Sequence, residues 1–306
     1  MNASLPHVAV VIPAWNHWPL TADCLTSLIR VHYPNLHIIL VDNGSTDATA
    51  EWARRDFPAV EVIRQEQNRG FAAGINLGLR QALKSEAPYI LALNNDTLVP
   101  PDLFDAPIGT MESESDIGML TCRINYADDP KRVWTVGSRR RPLTLAALDF
   151  GPGRLDAQLA TVPRDVDYIL GCAVFLRAST LSATGLFDER YFMYYEDLDL
   201  CLRFQRAGYR LRYLPQPIIL HRVGASTEET QPLRQFLLAR SSIRFYAEYG
   251  RGRYWLFVPY RLGSALRTVG RLFLKRQPQS AWAYLQGLLA GLRDLRTPTL
   301  GPEVFK

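Results

Sequence analysis

The first half of the chain alternates short apolar runs with stretches of helical periodicity, and no other feature of the sequence restricts the fold as strongly. Apolar runs at residues 8–13, 36–42, 60–64 and 89–93 predict strands, and residues 20–31, 47–55 and 71–84 predict helices between them. A strand–helix–strand series requires a parallel sheet with helices on its faces. Because ligands of such sheets bind beyond the carboxyl ends of the strands, the first candidates for a site are Asn16, Asp42 and residues 94–96.

The rest of the chain has less regular spacing. Strands are predicted at residues 117–123, 132–136, 167–176, 209–214 and 217–221, a helix at 194–207, and a loop at 137–163, which includes three consecutive arginines. We therefore predict an α/β fold with a mixed, mainly parallel sheet flanked by helices. Within the 306 residues, we expect a main domain of residues 1–248, divided near residue 115, and an amphipathic helical extension of residues 249–306.

Charge is distributed unevenly between these two parts. Residues 249–306 carry ten Lys plus Arg and two acids, a net charge of +8, whereas residues 1–248 carry 25 and 28, a net charge of −3. A protein that holds a nucleic-acid backbone is expected to place positive charge across its main domain. We therefore expect no nucleic-acid partner.

The sequence also bears on the cellular compartment. No apolar stretch approaches the roughly 20 residues that span a bilayer, and residues 1–7 lack the basic and apolar regions of a secretory signal. The four cysteines have no metal-binding spacing and sit among apolar neighbours, which predicts buried, reduced thiols. These features predict a cytoplasmic protein.

Two polar segments follow predicted strands in the first half. Asp42 opens the turn D-N-G-S-T-D, where a carboxylate could hold nucleotide hydroxyls or could simply belong to a strand–turn–helix connection. Residues 68–76 (N-R-G-F-A-A-G-I-N) lead into a helix whose spaced glycines indicate close packing, or an anion site at the helix N-terminus. The chain has no G-x-G-x-x-G after its first strand and no G-x-x-x-x-G-K-[ST], so neither a dinucleotide fold nor a P-loop is supported.

A third polar segment follows residues 89–93. Asn94, Asn95 and Asp96 offer amide and carboxylate oxygens, which are ligands that Mg²⁺ or Mn²⁺ prefers when it bridges to diphosphate. A turn capped by Asn and Asp is the alternative interpretation.

Three acids crowd the first turn of the helix predicted at 194–207. Glu196, Asp197 and Asp199 complement the helix dipole there. A carboxylate at that position, walled by aromatic residues, is also well placed to accept a proton. His221 ends a later strand, where it is either structural or a metal ligand.

In this order, these segments resemble the inverting, nucleotide-sugar-dependent glycosyltransferases of family 2, which have the GT-A fold. The resemblance covers about residues 7–245 and rests on residues 10–16 (V-V-I-P-A-W-N), 41–47 (V-D-N-G-S-T-D), 68–76, 93–97 (L-N-N-D-T), 171–177 (G-C-A-V-F-L-R), 195–203 (Y-E-D-L-D-L-C-L-R) and the His221 segment. Within the family, residues 68–76 and 194–203 look most like bacterial rhamnosyltransferases that act on surface glycans.

The resemblance implies roles for individual residues. The implied nucleotide-sugar contacts are Pro13, Asn16, Asp42, Asn68, Gly70, Gly74, Asn95, Asp96, Arg240 and Arg244. Asp197 matches the catalytic base, and Gly171, Cys172 and Glu196 are assigned to the acceptor side. Asp96 takes the place of the last acid of the family's DXD metal motif, with His221 as a second contact for Mg²⁺ or Mn²⁺. The first acid of that motif is Asn94 here, a departure that weakens the inference of tight metal binding.

These roles predict transfer of a sugar, with rhamnose from dTDP-rhamnose as the first choice, to a hydroxyl of a cell-surface glycan or a lipid-linked acceptor. The alternative is a noncatalytic sugar-nucleotide-binding or scaffold protein of a polysaccharide assembly complex. A nucleotidyltransferase would be expected to carry a basic, Gly-rich phosphate loop where residues 14–17 read A-W-N-H.

The extension at residues 249–306 has its own alternatives. In a helix over residues 261–276, Leu262, Leu266, Val269 and Phe273 share one face and Arg267, Arg271 and Lys275 the opposite one. Such a helix packs on the main domain, forms a homodimer contact, or attaches residues 251–296 to an anionic membrane surface.

Overall fold

The computed structural model describes residues 5–148, 161–223, 231–250 and 254–295, and it places ten strands of this part of the chain in one sheet. The strands are β1 (Val8–Ala14), β2 (Leu36–Asp42), β3 (Glu61–Arg64), β4 (Tyr89–Leu93), β5 (Thr97–Leu98), β6 (Ile117–Tyr126), β7 (Val133–Thr135), β8 (Arg164–Asp165), β9 (Ala173–Arg177) and β10 (Arg210–His221). The helices are α1 (Trp18–Leu28), α2 (Thr49–Asp56), α3 (Phe71–Lys84), α4 (Asp105–Ser113), α5 (Ala178–Thr184), α6 (Glu196–Arg206), α7 (Gln231–Tyr249), α8 (Tyr254–Leu274) and α9 (Pro278–Asp294).

The sheet runs in the order β3-β2-β1-β4-β9-β6-β10-β5. The first four strands are mutually parallel, whereas β9 is antiparallel to both β4 and β6, and β10 is parallel to β6. The predicted mixed, mainly parallel sheet is therefore confirmed. Strand direction reverses between β4 and β9, in the middle of the sheet.

Helices cover both faces of the sheet because strand side chains alternate between the faces. In β1, Val8, Val10 and Ile12 belong to the core that contains Cys24 and Leu25 of α1. The intervening residues of β1 belong to the opposite core, with residues of α3 and α6. Strand β1 is buried along its whole length, which explains its uninterrupted apolar sequence.

The sequence prediction is wrong for two strands of the second half. A strand was expected over residues 167–176, but β9 begins only at Ala173. The preceding residues bond outside the sheet ladder: the Tyr168 amide donates to the Ser138 carbonyl and the Gly171 amide to the Asp197 carboxylate. The two strands expected at 209–214 and 217–221 form one strand, β10, which has a register irregularity between Leu214 and Ile218.

Helices α4, α5 and α7 were not predicted from the sequence. Helix α7 begins at Gln231, and only its amphipathic character could have indicated it. Of the loop expected at 137–163, residues 149–160 lie outside the described residues. The described part contains an isolated bridge between Arg140 and Ala147.

The C-terminal helices pack against the rest of the chain as well as against each other. Helix α9 lies directly on α7, and the glycines of α9 make this approach possible: a Cβ at Gly287 would stand 2.2 Å from the Phe236 carbonyl oxygen, and one at Gly291 2.7 Å from that of Arg240. Helices α8 and α9 share a small core that includes Leu272 and Tyr284. Among the described residues, no helix combines the length and the apolar character needed to cross a bilayer.

Candidate active site

The carboxyl ends of β1, β2 and β4 meet at one edge of the sheet, because the three strands are parallel and adjacent. Asp42 ends β2 opposite Ala14 of β1 and is fully buried. Its Oδ1 accepts the Ser45 amide at 2.8 Å, and Arg64 Nε lies 3.5 Å from its Oδ2. Among the residues that the structure describes, none donates a hydrogen bond to Oδ2. A buried carboxylate oxygen without a donor is unfavourable unless a ligand hydroxyl satisfies it.

Asn16 connects the turns that follow β1 and β2. Its backbone has a positive φ of 56°, and its Oδ1 accepts the Thr46 amide at 2.8 Å. Its own amide donates to Ser45 Oγ at 2.8 Å. Pro13 is buried one position before the end of β1, opposite Val41 of β2. The geometry gives Asn16 a structural role at this edge, and the predicted nucleotide contacts of Asn16 and Pro13 stay predictions.

Asn43 joins Asp42 to the glycine-containing segment, and sequence reasoning overlooked it. Its Nδ2 donates to the Gly70 carbonyl at 2.9 Å and to Asn68 Oδ1 at 3.2 Å. A Cβ at Gly74 would lie 3.0 Å from the same nitrogen. The predicted nucleotide residues Asn68, Gly70 and Gly74 therefore converge on the residue after Asp42. A polar residue directly following a strand-end carboxylate was the available signal.

Gly70 connects this segment to the second half of the chain. It has a φ of +87°, and a Cβ there would stand 2.4 Å from the Phe192 carbonyl oxygen. The same carbonyl accepts the Phe71 amide at 2.8 Å. Only glycine combines this backbone conformation with so close a contact. The turn before α3 is thus bonded to the chain that leads into α6.

Asn76 makes a second connection between the halves, which sequence reasoning also overlooked. Its Nδ2 donates to the Phe187 carbonyl at 2.8 Å, and its Oδ1 accepts the Phe187 amide at 3.0 Å. Glu189, which also accepts from Asn76 Nδ2, pairs with Arg80 at 2.6 Å. A buried amide inside the apolar face of α3 was the signal.

Asp96 and His221 lie side by side at the end of β4. Residues 97 and 221 are partners in the β5–β10 ladder, and His221 Nε2 lies 3.1 Å from Asp96 Oδ1. Trp134 packs its ring edge against the imidazole, at 4.4 Å between centroids. Burial alone lowers the pKa of His221, but neighbouring Cys172 and Asp96 outweigh it and raise that pKa above its ordinary value.

Among the described residues, three buried polar atoms of this cluster have no partner in hydrogen-bond geometry. They are Asn94 Oδ1, His221 Nδ1 and Asp96 Oδ1, the last of which makes only the ion-pair contact with His221 Nε2. Among the described residues there is no cluster of three or more His, Cys, Asp or Glu side chains suited to a metal. Two protein ligands suffice for Mg²⁺ or Mn²⁺ when diphosphate oxygens and water complete the shell. The donor set therefore fits such an ion. Asn95 has a different partner, since its Nδ2 donates to Thr21 Oγ1 of α1 at 2.9 Å.

Asp197 lies in the first turn of α6 and is held by backbone amides. Its Oδ2 accepts the Gly171 amide at 3.1 Å and its Oδ1 the Leu198 amide at 2.8 Å. The two residues before α6, Tyr194 and Tyr195, both have positive φ, of 70° and 74°. Such backbone strain is typical of functional sites, where the surrounding structure holds a side chain in place.

The three acids of this turn have different environments. Asp199 pairs with Arg203 at 2.9 Å and accepts the Tyr249 hydroxyl, so it stabilises the helix. Glu196 is buried, and its Oε2 has no hydrogen-bond partner. Burial raises the pKa of both Glu196 and Asp197, and the neighbouring Asp197 raises that of Glu196 further. Glu196 therefore holds a proton at a pH where Asp197 is already ionised.

Residues 171 and 172 connect the turn that carries Asp197 to the segment that follows β4. The Gly171 amide donates to Asp197, and the carbonyl of the adjacent Cys172 accepts the Asn94 amide at 2.8 Å. A Cβ at Gly171 would lie 3.6 Å from the Asp197 Cβ and 3.7 Å from the Phe71 ring. Cys172, like the other three cysteines, is buried and not in a disulfide. The candidate base and the segment that carries the candidate metal ligand thus bond to one dipeptide.

Arg240 and Arg244 lie on α7. Arg240 Nε pairs with Asp294 of α9 at 2.6 Å. Both arginines line a small pocket with Arg190, Phe192, Ser241 and Asp294. Ser241 also donates to the Met193 carbonyl at 2.9 Å, which ties α7 to the chain before α6. The predicted contact of these arginines with a diphosphate stays a prediction, and in this structure Arg240 is engaged by Asp294.

Comparison with known proteins gives a consistent result. The family model described as glycosyl transferase family 2 matches residues 9–180. An N-acetylglucosaminyl-diphospho-decaprenol L-rhamnosyltransferase of Mycobacterium tuberculosis is 27% identical over 281 residues, which cover 85% of this chain and 89% of the relative. Rhamnosyltransferase WbbL of Escherichia coli is 29% identical over 161 residues, covering 50% of this chain and 60% of the relative.

Solved structures extend the comparison to the fold. GalNAc-T7, solved with UDP, GalNAc and Mn²⁺, superposes with a TM-score of 0.61 at 14% identity and covers 97% of this chain and 58% of that one. The mannosyltransferase PcManGT of Pyrobaculum calidifontis, solved with GDP-Man and Mn²⁺, gives 0.56 at 17% identity and covers 96% and 76%. The sheet and its flanking helices thus have the GT-A arrangement expected from the sequence.

Proposed function

This chain belongs to glycosyl transferase family 2 and is a rhamnosyltransferase-like, nucleotide-sugar-dependent glycosyltransferase, and we propose that it transfers rhamnose from dTDP-rhamnose with inversion at the anomeric carbon. The proposed acceptor is a hydroxyl of a lipid-linked or cell-surface glycan, by analogy with the diphospho-decaprenol substrate named for the mycobacterial relative. The proposed location is the cytoplasmic face of the cell membrane, where such an acceptor is presented.

The observation that carries the proposal is that Asp197 and the Asn94 amide, two residues before Asp96, bond to the adjacent residues Gly171 and Cys172. Inverting transfer needs an acceptor base on one face of the sugar and stabilisation of the leaving diphosphate on the other. A base and a metal ligand on two segments that bond to one dipeptide are suited to these two tasks. Asp42, with its unsatisfied Oδ2, is suited to hold the nucleoside farther along the same sheet edge.

In the proposed reaction, the acceptor oxygen attacks the anomeric carbon while Asp197 takes the hydroxyl proton. The new carbon–oxygen bond forms as the bond to the diphosphate breaks, and the diphosphate leaves with the electron pair. Because burial raises the pKa of Asp197, the carboxylate is a stronger base than an exposed aspartate. The amides of Gly171 and Leu198 fix its orientation.

Asp96 and His221 are the residues suited to hold Mg²⁺ or Mn²⁺. When bound, such an ion neutralises the charge that develops on the leaving diphosphate. Glu196, protonated and without a hydrogen-bond partner at Oε2, is suited to bind an acceptor oxygen.

The test is a donor panel of nucleoside diphosphates and sugar nucleotides, with and without Mn²⁺, read first as thermal shifts and then as donor hydrolysis and transfer. We expect dTDP-rhamnose to give the largest shift and to be hydrolysed slowly without acceptor, since a ligand of the native state raises its melting temperature. Transfer to a lipid-linked acceptor should yield the inverted anomer by NMR. Binding without hydrolysis or transfer for every donor would instead support the noncatalytic alternative.

A further inference from the structure

Helix α8 exposes a row of large apolar side chains. The members of this row are spaced three or four residues apart, so they lie along one side of the helix. They are the exposed Val258, Leu262, Leu266 and Phe273 and the half-buried Val269. Leu266 is 75% exposed, which is unusual for a leucine in the middle of a helix that packs on a neighbour. This row has no partner among the described residues of the chain.

Helix α9 exposes a second row with the same character. Trp282, Leu285, Leu289 and Leu292 are exposed, and Trp282 is 64% exposed. These positions lie on the side of α9 opposite Gly287 and Gly291, which face α7. The packing on α7 therefore fixes the second row toward solvent.

The two rows lie next to the contact between α8 and α9. The helices touch through Val269 and Leu272 of α8 and Tyr284 and Leu288 of α9. The exposed rows begin next to these contacts on each helix, so they form one continuous surface, called the hairpin surface below. A contiguous apolar surface of this size on a folded chain indicates a binding partner.

Charge identifies the kind of partner. Exposed cations lie on the face of α8 opposite the apolar row and in the turn after the helix: Arg267, Arg271, Lys275 and Arg276. The single acid of residues 254–295 is Asp294, and its carboxylate pairs with Arg240 of α7. A helix with exposed apolar side chains on one face and cations on the other matches an anionic bilayer, in which apolar side chains enter the interface and long basic side chains reach the headgroups.

A second copy of this chain matches the hairpin surface poorly. A twofold contact would bring residues 254–295, which contain one acid and carry a net positive charge, against the same segment of the second copy, and like charges oppose such an association. We infer that the hairpin surface of α8 and α9 docks the protein onto the surface of an anionic lipid bilayer, with both helices lying in the plane of the interface. The inference goes beyond the proposed reaction and does not depend on which sugar or acceptor the site uses.

Point variants of the full chain test this inference better than truncation, because α9 also supports α7. The first variant replaces Leu266, Phe273, Trp282 and Leu289 with Gln. The second replaces Arg267, Arg271 and Lys275 with Gln. The control replaces three exposed cations of the main domain, Arg30, Arg54 and Lys131, with Gln and thus makes the same change in net charge. Thermal melting should be near that of the wild type for all three, since the replaced side chains are exposed.

Binding is measured by co-sedimentation with vesicles of phosphatidylcholine alone and of phosphatidylcholine mixed with phosphatidylglycerol. We expect the wild type and the control to bind the anionic vesicles, and the apolar variant to lose binding to both kinds. The cationic variant should bind the anionic vesicles on the order of 10- to 100-fold more weakly, because each cation near an anionic surface contributes to attachment. Unchanged binding by the apolar variant, or a wild type that binds no vesicle and instead forms a dimer by light scattering, would overturn the inference.

Discussion

Asp197 Oδ2 accepts the backbone amide of Gly171 at 3.1 Å, and this bond fixes the candidate base beside the carbonyl that holds Asn94 in place. Among the described residues, no cation forms an ion pair with this carboxylate, whereas Asp199, two residues later, pairs with Arg203. A carboxylate that is oriented by amides and not paired with a cation remains available to take a proton.

Replacing Asp197 with Asn should lower kcat on the order of 10²-fold or more and leave donor binding intact, because the amide keeps the shape but cannot accept the proton. Single-turnover transfer and donor binding by calorimetry are the measurements. Asp128→Asn, at an exposed position, is the matched control. Turnover near that of the control would remove Asp197 from the proposed role.

The pH dependence of transfer should report the buried carboxyl. Since burial raises the pKa of Asp197, kcat/KM should fall with decreasing pH at a higher pH than the roughly 4 of an exposed aspartate. Glu196→Gln should leave this acid limb in place, because Glu196 is already neutral at that pH. An acid limb that moves with Glu196→Gln would assign the titration to Glu196 instead.

The raised pKa of Glu196 also affects the stability of the native state. A carboxyl whose pKa is raised on folding stabilises the native state below its unfolded pKa, and this contribution is lost as pH rises through the folded pKa. Glu196→Gln should therefore raise the melting temperature by about 2 °C at neutral pH, corresponding to ~1 kcal/mol. No gain is expected near pH 4. Melting curves at both pH values decide the matter, and equal effects at the two would contradict the explanation.

Gly70→Ala should destabilise the protein by about 2 kcal/mol or more and weaken donor binding. The added Cβ would meet the Phe192 carbonyl at 2.4 Å, at a φ of +87° that disfavours alanine. Gly109→Ala is the matched control, since nothing lies within 4 Å of a Cβ in that helix position and alanine favours helix. Chemical denaturation of both variants gives the comparison, which fails if the two lose equal stability.

Asn76→Leu should cost about 1–3 kcal/mol, because it leaves the amide and carbonyl of Phe187 without partners in a buried position. Arg80→Ala removes only a half-exposed ion pair to Glu189 and should cost less than about 1 kcal/mol. Because residue 187 precedes the strained turn into α6, kcat should fall in Asn76→Leu as well. Equal stability of the two variants would show that the Asn76 side chain does not hold α3 and the segment before α6 together.

Removal of divalent metal should abolish most of the thermal shift produced by a nucleoside diphosphate. Asp96→Ala and His221→Ala should have the same effect in the presence of Mn²⁺, whereas Cys122→Ala, at a buried position on the same sheet, should keep the shift. At a ligand concentration of 100 times Kd the lost stabilisation is about 2.7 kcal/mol. A full shift in the presence of EDTA would contradict the role of Asp96 and His221.

Sequence reasoning gave accurate strand ends in the first half because each buried parallel strand is an uninterrupted apolar run followed by a polar turn. Strands β2 and β4 and helix α3 have the predicted bounds. It was less accurate after residue 115, where strands are antiparallel or bent and where residues 167–172 bond to a side chain and a loop. The roles of Asn43 and Asn76 could not be predicted from the sequence, because their partners lie far away along the chain. Asn76 and Phe187, for example, are 111 residues apart.

The reversal of strand direction between β4 and β9 has a mechanical consequence. The strand that leads to Asp96 and the strand that follows Gly171 are neighbours in one hydrogen-bonded ladder, from Tyr89 with Arg177 to Leu93 with Ala173. A continuous ladder joins the two halves of the sheet into one body. The turns beyond the strand ends are the part of the site that can vary independently, so exchange of those turns could alter sugar choice while the underlying framework stays the same.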